Sequence, residues 1–219
     1  MKNKKIYLVL ALCVFGFLVT QNIFAMGAGG GYSGVQSSLE EFTRRFSEIR
    51  NSQDFRNIAR DDAPLHFGSY AGSQNTLQEF IRRFTEIRGD QNFRNAARDD
   101  APLHFGSYAG SRHSLADFTR RFNEIRSDQN FRSIARDDAP IYFGSYAGSQ
   151  NTLQEFTRRF SEIRSSQDFR NIAGDDAPLY FGSYAGSQNT LQLFIRRFNE
   201  IRSDQNFRSI ARDDAPLYF

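Results

Sequence analysis

The chain has 219 residues, 28 Lys+Arg against 25 Asp+Glu, one cysteine and no tryptophan. All three lysines and the cysteine, Cys13, fall before Ala25, and no acid does, so the remainder carries 25 arginines against 25 acids. A balanced, cysteine-free chain excludes disulfide support and thiol chemistry, and it argues against electrostatic binding to nucleic acid or an anionic membrane.

The N-terminus reads as a secretory signal. Lys2, Lys4 and Lys5 precede an uncharged apolar run, Ile6 to Val19, then a polar break and Ala25. The run is too short for a helix of about 20 residues that would span a bilayer. Cleavage is expected after Ala25, with Ala28 as second choice, leaving a Gly-rich stretch at 26–29. The mature chain is expected in the secretory route, extracellular, apoplastic or vacuolar, with no membrane attachment.

Five near-identical 38-residue units follow, at 30–67, 68–105, 106–143, 144–181 and 182–219. Such repetition is the signature of stacked or strung architectures. The expected fold is mainly α. Each unit is read as an amphipathic helix plus a short second helix, joined by Pro- and Gly-containing extended segments, loosely packed or partly disordered.

Within the second unit, Leu77, Phe80, Phe84 and Ile87 fall on one stripe of a helix from Thr76 to Arg88. Thr76 with Glu79 forms a capping box, repeated by Ser38 with Glu41 and Thr152 with Glu155, weakened at Ser114 with Asp117, and broken by Leu193. A shorter helix is expected from Gln53 to Arg60, after turn-formers at Asn51 and Ser52. Each unit then reaches its only proline, at 64, 102, 140, 178 or 216, preceded by Asp-Asp-Ala. Proline disfavours helix in the residue before it, so Ala63 and its equivalents are expected to be extended. The Gly-Ser-Tyr-Ala-Gly stretch at 68–72 reads as a flexible connector. An α-solenoid is the alternative, but no atypical end unit covers its ends, and the small-residue positions that allow close helix packing are missing.

Catalytic and metal-binding signatures are missing, and no enzyme activity is expected. His66 and His104 stand where other units carry Tyr142, Tyr180 and Tyr218, an exchange that a catalytic or ligating histidine would not tolerate. The Arg-Arg pairs, such as Arg82-Arg83, read either as a solvated helix face with ion pairs or as convertase sites. The unit ends carry the candidate product: Ala63, Pro64, Leu65, His66 and Phe67; Ala101, Pro102, Leu103, His104 and Phe105; Ala139, Pro140, Ile141, Tyr142 and Phe143; Ala177, Pro178, Leu179, Tyr180 and Phe181; Ala215, Pro216, Leu217, Tyr218 and Phe219. A fixed frame with Leu/Ile and Tyr/His exchange suits related peptides cut from one precursor. An apolar plug packed on the helices is the equal alternative.

A signal peptide, tandem units and a short variable segment in a fixed frame resemble multi-copy precursors of ribosomally synthesised peptides. Ala-Pro-Leu-Tyr and Ala-Pro-Ile-Tyr are similar in order to the building blocks of plant cyclopeptide alkaloids, whose precursors are substrates of copper-dependent BURP-domain cyclases. The resemblance implies crosslinking at Tyr142, Tyr180 and Tyr218 by a separate cyclase, and processing proteases as partners. The chain itself holds no cofactor and no BURP-type Cys–His signature. The phenylalanine after each tyrosine, and His66 and His104, depart from that pattern. A neuropeptide-type precursor is the competing version, cut at Arg60-Asp61 and amidated at Phe67-Gly68. Gly174 in place of that arginine and Phe219 without a following glycine break it. Outside the precursor class, the reading is an extracellular structural or partner-binding helical repeat protein.

Overall fold

A computed structural model describes residues 31–219; the signal segment, the cleavage position at Ala25 and the stretch at 26–29 lie outside the described residues. The described chain is mainly helical, with no strand.

Long helices run at Leu39–Asn51 (α1), Leu77–Gly89 (α4), Leu115–Ser127 (α7), Leu153–Ser165 (α10) and Leu191–Ser203 (α13). Short helices follow at Gln53–Ala59 (α2), Gln91–Ala97 (α5), Gln129–Ala135 (α8), Gln167–Ala173 (α11) and Gln205–Ala211 (α14). Third helices lie at Phe67–Ala71 (α3), Ala101–Gly110 (α6), Ala139–Gly148 (α9) and Ala177–Gly186 (α12). The sequence sets the ends of the first two classes. Thr76 Oγ1 accepts from the Glu79 amide, and Asp90, which closes α4, caps α5 by accepting from the Phe93 amide at 2.5 Å. Only half of the capping box forms: Glu41, Glu79 and Glu155 turn to Arg44, Arg82 and Arg158 instead.

The apolar stripe of the long helix is buried as its period requires, with Phe80, Phe84 and Ile87 at most 1% exposed. The short helices join one long helix to the next. Phe55 meets Phe80 and Phe84, Phe93 meets Phe118 and Phe122, Phe131 meets Phe156 and Phe160, and Phe169 meets Phe194 and Phe198. Phe207 then meets Phe42 and Phe46, at the opposite end of the chain.

The array therefore closes into a ring. The third helices form its inner wall: α6 packs on α3 and α9, and α9 on α12. Each long helix lies against the third helix that follows it. For α13 that place is taken by Tyr32–Gly34, which also packs on α12. Closure removes the need for atypical end units, because no unit presents an uncovered apolar face.

Three expectations are overturned. The proline segments are not extended: Ala101 has φ −52° and ψ −44°, and helix α6 begins there, with Ala139 and Ala177 alike. A proline in the first helical turn removes no intrahelical hydrogen bond, and burial of Ala101, Phe105 and Tyr108 outweighs the bias on the residue before it. The Gly-Ser-Tyr-Ala-Gly stretch is not a flexible connector. Residues 67–71 form buried helix, and in the longer copies the same motif is the second half of the inner helix. Its glycines are the small residues that allow close packing: a Cβ on Gly110 would stand 2.7 Å from the carbonyl oxygen of Ser69 on the neighbouring inner helix. The described units are thus not loosely packed; one continuous aromatic core joins them.

Candidate functional site: the axial mouth

The inner helices carry the candidate product segments. Ala63, Ala101, Ala139, Ala177 and Ala215 are buried, as are the phenylalanines at 67, 105, 143, 181 and 219. Pro64, Pro102, Pro140 and Pro216 are partly exposed and Pro178 is exposed. Leu65, Leu103, Ile141 and Leu179 are partly exposed and Leu217 is buried. Leu103 lies about 200° around its helix from Phe105, which faces the long helices, so this aliphatic position turns toward the ring axis.

The His/Tyr position lies between adjacent inner helices. Tyr142 donates to the carbonyl of Pro178 at 3.0 Å, Tyr180 to that of Pro216 at 2.7 Å, and Tyr218 to that of Pro64 at 2.6 Å. Burial raises all three phenol pKa values above their ordinary range. His66 and His104 are equally buried, yet Nε2 of each has no partner among the described residues. Burial pushes both imidazoles down to about 3, with the neighbouring His104 adding to the effect on His66.

The two arginines of each pair do different work. Arg82, exposed, pairs with Glu79 at 2.7 Å and Glu86 at 3.7 Å. Arg83, 8% exposed, caps the C-terminus of inner helix α6, its Nη2 donating to the carbonyls of Tyr108 (3.0 Å) and His113 (2.6 Å). Its guanidinium lies 4.1 Å over the Tyr108 ring, and Tyr108 donates to Glu86 at 2.7 Å. Arg45, Arg121, Arg159 and Arg197 repeat this stack. The last stands over Tyr32, whose phenol is pushed up to about 12 by burial and by its bond to Glu200.

The inner helices end together at one face of the ring, and the turns after them surround a cavity of about 420 Å³ on the axis. It is lined by Gly34 to Ser37, Gly72 to Gln74, Gly110 to Arg112, Gly148 to Gln150 and Gly186 to Gln188. A girdle of side chains holds these turns. Asn75 donates to the carbonyls of Ala109 (2.7 Å) and Ser111 (3.4 Å), Asn151 to those of Ala185 (2.7 Å) and Ser187 (3.2 Å), and Asn189 to those of Ser33 (2.8 Å) and Val35 (3.3 Å). His113 replaces the asparagine once and bonds the carbonyl of Ser149 at 2.7 Å. Sequence reasoning missed this site. The signal was present in the repeated Gly-Ser-Gln-Asn turn, but only closure of the ring brings its copies to one point.

Among the described residues there is no cluster of three or more His, Cys, Asp or Glu able to hold a metal, and no helix long and apolar enough to cross a membrane. Compared with known proteins, the chain matches no family model, no curated protein and no solved structure.

Proposed function

We propose that the mature chain acts intact and outside the cell, as a ring of five 38-residue helical units that binds a ligand or partner rather than catalysing a reaction. One observation carries this reading: the segments expected to be released form the inner wall, with their phenylalanines and tyrosines in the common core. Excision of any one of them would remove an inner helix and its contacts with both neighbours. The Tyr/His exchange has a packing explanation in the same place, since both rings fill a buried site between inner helices. In four of the five units the arginine pair is likewise occupied, Arg44, Arg82, Arg120 and Arg158 by ion pairs and the next arginine by the end of an inner helix.

The binding face under this reading is the axial mouth, a concave surface of ligand-pocket size rimmed by glycine, serine and glutamine residues and Arg112. The test is the fate of the chain in its source. Mass spectrometry of secreted material should find the intact mature protein, resistant to proteases under native conditions. Recovery of only short Pro-Leu-Tyr or Pro-Leu-His peptides with common ends would overturn the proposal in favour of a peptide precursor whose processing begins before folding.

A further inference from the structure

The mouth is not five-fold symmetric in its hydrogen bonding. At two junctions the glutamine of one turn donates to the asparagine of the turn before it in the ring: Gln188 to Asn151 Oδ1 at 2.6 Å, and Gln36 to Asn189 Oδ1 at 3.1 Å. At the other three, which are consecutive, this bond is missing because the sequence departs from the common turn. Ser37 stands in the asparagine position before Gln74 and is too short to reach, leaving its own Oγ buried without a partner among the described residues. Arg112 stands in the glutamine position after Asn75. His113 stands in the asparagine position before Gln150, and its Nε2 is held by Ser149. One side of the cavity therefore presents two carboxamides without a partner among the described residues, Gln74 and Gln150, flanking one guanidinium, Arg112.

Among the described residues lining the cavity, Arg112 is the only charged side chain and none is a carboxylate. A guanidinium offers a planar fork of donors that matches a carboxylate in two parallel bonds. Each amide offers both a donor and an acceptor, the pairing that a hydroxyl requires. The cavity of about 420 Å³ admits a ligand of sugar size. We infer that this side of the mouth is a binding site for a small polyhydroxylated carboxylate, a sugar acid, with its carboxylate on Arg112 and its hydroxyls on Gln74 and Gln150. The inference rests on the reading of the chain as an intact binding ring.

The test uses the mature chain, with D-galacturonate, D-galactose and inorganic phosphate as probes in isothermal titration at neutral pH. Galacturonate should bind saturably, with galactose and phosphate each at least about tenfold weaker. Arg112→Gln, which restores the residue of the other four turns, should weaken galacturonate at least about tenfold while leaving the thermal melt unchanged. The double change Ser37→Asn and His113→Asn should also weaken it, because Gln74 and Gln150 would regain partners within the ring. Absence of saturable binding up to about 10 mM, equal binding of galactose or phosphate, or undiminished binding by Arg112→Gln would each overturn the inference. Failure of binding in a chain recovered intact sinks only this site; recovery of peptides alone sinks the ring reading beneath it.

Discussion

The backbone amide of Ser33 donates to the carbonyl of Phe219 at 2.9 Å, joining two ends of the described chain inside one helix. Tyr32, Ser33 and Gly34 occupy the register that Tyr184, Ala185 and Gly186 hold in α12, and Phe219 occupies that of Phe181. The bond is thus the one a continuous α-helix would make between residues four apart. The Ser33 hydroxyl donates to the same carbonyl. The fifth inner helix is assembled from two pieces, Arg212–Tyr218 with Phe219 and Tyr32–Gly34, and Asn189 clamps the second piece as Asn151 clamps the end of α12.

A ring makes Tyr32 a core residue, whereas an open array would leave it at a fraying end. Tyr32 is 1% exposed, packs edge-on against Phe42 at 5.5 Å, lies beneath Arg197 at 3.9 Å and bonds Glu200 at 2.8 Å. Tyr32→Ala should cost about 3–5 kcal/mol in a urea titration, the range for emptying a buried aromatic site. A loss below about 0.5 kcal/mol would mean that the ends do not meet.

Sequence reasoning reached the outer helices and not the inner ones, for a physical reason. Leu77, Phe80, Phe84 and Ile87 betray a helix because that helix has one wet face and one dry face. The inner helix Ala101–Gly110 is buried on nearly every side, from Ala101 through His104 to Ala109, so it has no alternation to detect. Its proline and two glycines look like chain breakers in isolation. Proline is tolerated at its start, and Gly106 and Gly110 are where the neighbouring inner helix comes closest. Ring closure had a faint signal in Gly-Gly-Tyr-Ser-Gly at 30–34, a degraded copy of the inner-helix motif placed before the first long helix. The mouth was beyond reach without closure, because nothing in one unit shows that Gln74, Arg112 and Gln150 share a cavity.

The two histidines should make the ring acid-sensitive. His66 sits among Phe55, Phe84, Ser69, the Gly106 backbone and His104, with no acid among the described residues to stabilise an imidazolium. Its folded-state pKa, and that of His104, is about 3 against an ordinary 6.5. Between those values the unfolded chain binds more protons than the folded one. Stability is therefore complete above about pH 6.5 and falls as the pH drops toward 3, by about 1.4 kcal/mol per pH unit for each histidine. Asp62, Asp100 and Asp214, raised by burial and by the neighbouring aspartate, act in the opposite sense, but near the carboxylate range. The interval from pH 6.5 to 4.5 reports the histidines. The double variant His66→Tyr and His104→Tyr should flatten it, and each new phenol should add about 1 kcal/mol by reaching Pro102 or Pro140 as Tyr142 reaches Pro178. Urea midpoints at pH 7 and pH 5 decide this; an unchanged slope in the double variant would refute it.

The residue after each short helix is held in a backbone region that suits glycine. Arg60, Arg98, Arg136 and Arg212 have φ of 55°, 57°, 59° and 56°, with ψ near −135°. Gly174 takes the same place at φ 61° and ψ −140°. This explains why one unit exchanges arginine for glycine without changing the fold. Arg98→Gly should raise stability by about 1 kcal/mol, the strain relieved less the added freedom of the unfolded chain, and Gly174→Arg should lower it by a similar amount. Thermal melts of the two variants should shift in opposite directions; a shift in the same direction would show that the arginine side chain supplies an offsetting contact.

The arginine of each pair that stacks on tyrosine, buried at Arg83 and Arg159, should be intolerant of lysine, and the exposed one indifferent. Arg83 reaches three acceptors through its terminal Nη2, the carbonyls of Tyr108 and His113 and the Ser111 hydroxyl, while its guanidinium stands 4.1 Å over the Tyr108 ring. A lysine ammonium cannot stack in this way, and its nitrogen ends one bond short of the place that Nη2 occupies. It would leave carbonyls of the α6 terminus without donors in a nearly dry site. Arg83→Lys should therefore cost about 2 kcal/mol. Arg82→Lys, on an exposed side chain held by surface ion pairs, should leave the urea midpoint in place. Because Arg83 also fixes the turn that carries Arg112, its replacement by lysine should disturb the amide resonances of Ser111, Arg112 and His113, whereas that of Arg82 should not. Equal effects of the two substitutions would remove the distinction between the arginines on which the structure of the mouth depends.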